Sequence, residues 1–114
     1  MDRVKLNGRK FVMVSSTASK VNPDGPTRFE YWEDDGLVWG SYTGDTVTQG
    51  RFVGTRDGDQ VTISYVHALV AGGKAAGKST SRIETGDDGR LRLVEEFSFE
   101  GDDTPHVSVC VEVP

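Results

Sequence analysis

Between Leu37 and His67 the chain reads LVWGSYTGDTVTQGRFVGTRDGDQVTISYVH, three strand-like runs separated by two tight turn signals. No other stretch narrows the fold as far. In the first run Leu37, Trp39 and Ser41 alternate with Val38, Gly40 and Tyr42, the side-chain period of a β-strand. Gly44-Asp45 then reverses the chain into TVTQGRFVGTR, and Asp57-Gly58 reverses it again. The third run, QVTISYVHAL, sets Val61, Ile63, Tyr65, His67 and Leu69 against Thr62, Ser64, Val66 and Ala68. That is the pattern of a strand with one face on a core, and strands joined by turns this short pair antiparallel.

The rest of the chain extends the same scheme. Residues 1–9 read as a polar lead-in, and Lys10 to Ser15 as a first strand. Ser15 to Thr27, with two prolines and several small polar residues, reads as the longest loop and a candidate lid or rim. Arg28 to Trp32 is a second strand ending in a Glu33-Asp34-Asp35-Gly36 turn. After AGGKAAGKST come SRIE, the turn TGDDGR, and RLRLVEEFSFE. In that last run Leu91, Leu93, Glu95, Phe97 and Phe99 share a face, so a carboxylate sits amid apolar residues. Beyond GDDTP, the run HVSVCVEV sets Val107, Val109, Val111 and Val113 against Ser108, Cys110 and Glu112.

Eight strands with turns about every ten residues and no helical period predict one all-β domain over residues 1–114. We expect an eight-stranded antiparallel up-and-down β-barrel, lipocalin-like or avidin-like, because closure removes the exposed edges of a flat meander. A two-sheet β-sandwich is the alternative. The fourteen glycines, many falling singly inside strand patterns, fit bulges and bends better than linkers.

Thirteen basic against eighteen acidic residues, a net charge of −5, argue against a nucleic-acid or anionic-lipid surface. The longest apolar run is about five residues against the roughly twenty a membrane helix needs. A single cysteine, Cys110, and no apolar signal segment lead to the expectation of a reducing, bacterial-type cytoplasm.

Gly72, Gly77, Lys78 and Ser79 satisfy G-x-x-x-x-G-K-[ST], the phosphate-cradling loop, but the context fails. That loop needs a helix whose N-terminal amides converge on phosphate, and Thr85-Gly86-Asp87-Asp88-Gly89 follows too soon for one. A plain hairpin loop is expected there. His67 and His106 lack the spacing of a metal site, and the acidic pairs beside glycines read as turn chemistry; no metal and no cofactor is expected.

His67 beside Tyr65, and Glu95 between Leu93 and Phe97, would both point into a barrel. There they could hold a ligand, form an acid–base pair, or serve as a buried structural pair satisfied by each other or by Tyr31, Tyr65 or Ser81. The catalytic role is the least favoured of the three. The ligand-contacting set expected is Tyr31, Trp39, Tyr65, His67, Ser81, Glu95 and Phe97.

Phe29 and Tyr31, Gly36, Val38-Trp39, Tyr42-x-Gly44, Gly50, Gly54, Tyr65-x-His67, Gly77, Ser81, Glu84 and the run from Arg90 to Phe99 together resemble small bacterial proteins of about this length. Many of these carry the label N-acetylglutamate synthase. The resemblance spans roughly residues 28–112 and implies a fold rather than that activity. An acetyltransferase needs a helix N-terminus for the coenzyme A pyrophosphate, and no helix is expected here. The chain departs from such relatives at Phe97 and Phe99, where they tend to carry tryptophan, and at Ile83, where proline is common.

Two function classes follow. One is a binding protein holding a small, partly apolar molecule in the barrel; the other is a structural or protein-interaction module with a filled barrel. An enzyme ranks third, and a monomer or homodimer is expected.

Overall fold

The computed structural model describes residues 5–17 and 24–113. Residues 18–23 of the expected lid or rim between Ser15 and Thr27, and the first four residues of the lead-in, lie outside the described residues. Eight strands follow in chain order: β1 (Arg9–Ser16), β2 (Arg28–Asp34), β3 (Leu37–Gly44), β4 (Val47–Asp57), β5 (Gln60–Leu69), β6 (Lys74–Thr85), β7 (Leu91–Phe99) and β8 (Asp102–Val113). Each pairs antiparallel with its sequence neighbour, and β1 pairs with β8, so the sheet closes. Closure decides against the sandwich, and every strand finds two partners.

The core is the inward alternation class of each strand. Phe11, Phe29, Tyr31, Val38, Tyr42, Phe52, Val61, Ile63, Leu91 and Leu93 are all buried. Tyr31 lies at the centre of an aromatic cluster, its ring 4.7 Å from that of Phe52 and 5.3 Å from that of Phe11. On β8 the inward class is Ser108, Cys110 and Glu112, and Val107 on the other class is exposed.

Several boundaries differ from those read in the sequence. β2 runs through Glu33 and Asp34, leaving only Asp35-Gly36 as the turn, both at positive φ (47° and 79°). That is the two-residue hairpin geometry that asparagine, aspartate and glycine favour. β6 begins at Lys74, so the glycine-rich hairpin loop shrinks to 70–73, and Gly77, Lys78 and Ser79 lie within the strand. Lys78 is exposed whereas Ser79 is buried, so the two side chains that would share one phosphate leave the sheet on opposite faces. β8 begins at Asp102, inside the expected GDDTP turn.

One end of the barrel is shut. Leu6, in the stretch read as a polar lead-in, is wholly buried there. Its backbone N–H donates to Glu33 Oε1 at 2.9 Å, and Arg56 donates to the same oxygen at 2.7 Å. This ion pair is almost free of solvent, and a charge so placed must be both paired and hydrogen-bonded. Residues 5–8 thus act as a plug held by Glu33. At the opposite end the register shifts between Met13 and Ser15, Tyr42 and Gly44, Val47 and Gln49, and Phe97 and Phe99. Bulges at a barrel rim bend strands outward and redirect side chains, and all four lie toward the end that stays open.

Candidate functional site

Among the described residues the opposite end is open and leads into a cavity of about 390 Å³. Phe52, Ile63 and Glu95 come from the middle of their strands. Phe29, Tyr42, Tyr65, His67 and Phe97 line the walls, and Ser16, Thr27, Thr46, Leu69 and Ala75 stand nearest the mouth. The wall is mainly aromatic and aliphatic with a few polar points, the usual make-up of a small-molecule site.

Those polar points are fixed by contacts between strands. Glu95 on β7 faces Ser81 on β6 and Ser108 on β8 in register. The hydroxyls of Ser79 and Ser81 donate to its Oε2 and that of Ser108 to its Oε1, each at 3.3 Å. Burial pushes its carboxyl above the ordinary value, and the three serine bonds pull the other way. Tyr42 and His67 sit on β3 and β5, with β4 between them, and their side chains meet over Gly50, which pairs with both residues. Tyr42 Oη and His67 Nδ1 share a hydrogen bond of 2.7 Å. A Cβ at Gly50 would collide with the Tyr42 ring, so the bond depends on glycine at that position. Burial lowers the His67 pKa, which keeps the imidazole neutral at pH 7. Tyr65 repeats the device over Gly77, its hydroxyl donating to the Ser98 carbonyl at 2.9 Å.

Around the mouth the rings form a continuous collar. Tyr65 and His67 lie parallel, 4° apart in plane at 6.0 Å. Phe99 meets both edge-on, and Phe97 and His106 complete the chain of contacts.

Of the residues expected to contact a ligand, Tyr65, His67, Glu95 and Phe97 line the cavity. Ser81 stands behind the wall as a donor to Glu95. Tyr31 is buried in the aromatic cluster and does not line the cavity. Trp39 is on the outside, 39 % exposed, because Val38, Gly40 and Tyr42 take the inward positions of β3. His67 and Glu95 are not bonded to each other; His67 pairs with Tyr42, and Glu95 with serines. The acid–base pair is therefore not assembled. Sequence reasoning missed Phe29, Tyr42, Phe52, Ile63, Ser79, Phe99 and Ser108 as site residues. Ile63 and Phe99 carried a usable signal, since each shares its alternation class with the expected site residues of its strand; at Tyr42 the competing Trp39 blurred it, and the two serines carried none.

The described residues form a small, closed up-and-down β-barrel, plugged at one end and open at the other into an interior cavity. The family model described as avidin-like protein matches residues 4–113, and the chain belongs to that family. No curated protein and no solved structure matches the chain. Among the described residues no helix is long and apolar enough to cross a membrane.

Proposed function

We propose that this avidin-like barrel binds a small, partly apolar molecule in its interior. The observation that carries the reading is the cavity itself, about 390 Å³, open at one end and walled by Phe29, Phe52, Ile63 and Phe97. Glu95, Tyr42, Tyr65 and His67 offer orienting polar atoms within that wall. An interaction module with a filled barrel would place side chains where this cavity lies.

Native mass spectrometry of protein purified from its host, read for co-purifying mass, tests for an occupant directly. N-phenyl-1-naphthylamine, a neutral apolar fluorophore, tests the cavity: its emission should rise on binding. Ile63→Trp, which fills the cavity, should abolish that rise while leaving the β-rich circular dichroism spectrum in place. Unchanged fluorescence binding in a folded Ile63→Trp protein would place the site elsewhere and end the reading.

A further inference from the structure

Among the described residues Glu95 is the one acidic side chain lining the cavity, and no described lysine or arginine lines it. Its described partners are three neutral serine hydroxyls. The other titratable groups near it add no positive charge. Burial pushes Tyr31, Tyr42, Tyr65 and Cys110 upward, with Glu95 itself contributing to each shift, so all four stay neutral at pH 7. Burial likewise holds His67 neutral. Arg56, the nearest thing to a core cation, is committed to Glu33 at the closed end.

Burial pushes the Glu95 carboxyl up, so its ionised form is costly without a counter-charge, and the three hydroxyl donors offset only part of that cost. A carboxylate offers about four acceptor sites, and three are taken by the serines, at distances longer than a strong O–H···O⁻ bond. Glu95 is also among the residues that line the cavity. The approach to it passes the aromatic collar of Tyr65, His67, Phe97 and Phe99, whose ring faces attract a cation.

We propose that the occupant is a small monocation, a primary ammonium on an aromatic or branched apolar body, with the ammonium on Glu95 and the body against Phe29, Phe52, Ile63 and Phe97. The proposal rests on interior binding and names its chemical class. It requires no covalent step: the ammonium donates one N–H to Glu95, and the rest of the molecule displaces water from the apolar wall.

The test compares three probes of nearly equal shape by isothermal titration calorimetry at pH 7.5: 2-phenylethylamine, 2-phenylethanol and 3-phenylpropionate. N-phenyl-1-naphthylamine serves as the control for the cavity. The amine should bind at least about tenfold more tightly than the alcohol, a difference of about 1.4 kcal/mol, and the carboxylate should bind most weakly. Glu95→Gln should erase the preference for amine over alcohol and leave N-phenyl-1-naphthylamine binding in place. If Glu95→Gln does not fold, Glu95→Asp stands in, and its retracted carboxylate should reduce the preference. Naphthylamine binding with amine and alcohol bound equally well would overturn the cation proposal and leave the cavity reading standing. The same holds for a preference that survives Glu95→Gln. Failure of all four compounds to bind the wild-type protein would overturn both.

Discussion

Glu95 and Glu96 are neighbours with opposite surroundings, buried against three serines in one case and exposed in the other. Glu95→Ala strands three hydroxyls that now share one acceptor, so thermal or urea unfolding should show a loss of about 1–3 kcal/mol. Glu96→Ala should change stability by no more than a few tenths of a kcal/mol, as for ordinary surface positions. Equal, mild effects would put the inward face of β7 one residue out of place. Gly50 gives a second contrast at this scale. Gly50→Ala forces a methyl group into the Tyr42 ring and should cost about 1–3 kcal/mol by overpacking. The ring would have to move, so the Tyr42–His67 hydrogen bond should be lost, seen as a changed His67 imidazole signal in NMR.

Among the elements, the plugged end depends on β2 and β4 presenting Glu33 and Arg56 to each other beneath residues 5–8. Arg56→Met keeps much of the side-chain volume but takes the guanidinium from a buried carboxylate. Breaking such a pair from one side costs about 3–5 kcal/mol. The same substitution should expose the backbone amide of Leu6 to faster hydrogen exchange, because Glu33 then loses the guanidinium bonded to the same oxygen that accepts from Leu6. On β6 the expectation is the reverse. Lys78 leaves the outer face of the strand, so Lys78→Ala should shift stability by less than about 0.5 kcal/mol. Nucleotide binding abolished by Lys78→Ala would contradict the opposite orientations of Lys78 and Ser79.

Over the whole molecule, buried Glu95 and half-buried His67 give the stability–pH profile opposite slopes. The native Glu95 carboxyl titrates above its ordinary 4.5, so the native state holds that proton more tightly than the unfolded chain. Its contribution is fully present below pH 4.5 and is lost as pH rises through the native value. His67 behaves the other way. Its native pKa lies below 6.5, so the unfolded chain takes the proton first, and stability is lost as pH falls from 6.5 through the native value. Melting temperatures measured across pH 4 to 8 should show Glu95→Gln removing the first slope and His67→Gln the second. Unaltered profiles in both variants would mean that neither group is shielded as the fold implies.

Alternation and turn chemistry are local properties, and they were enough to specify eight antiparallel strands and to put Glu95 and His67 on inward faces. β5 reads this way directly, since Val61 and Ile63 fill one face and Thr62 and Ser64 the other. Where both faces of a strand carry large or apolar residues, the same logic leaves two answers. Trp39 against Tyr42 on β3 is such a strand. So is β8, where the valines lie outside and Ser108 and Cys110 lie within. Only closure of β1 onto β8 chose between them, because it set how much volume the interior could hold. Partners were mostly invisible in one dimension. Ser81 was among those expected and does meet Glu95, but Ser79 and Ser108 meet it, and Tyr42 meets His67 across Gly50, through the register of non-adjacent segments, which no local pattern encodes. Which end is sealed was decided there too, by Leu6 and the Glu33–Arg56 pair, residues whose sequence surroundings look polar and whose burial exists only once the barrel has closed around them.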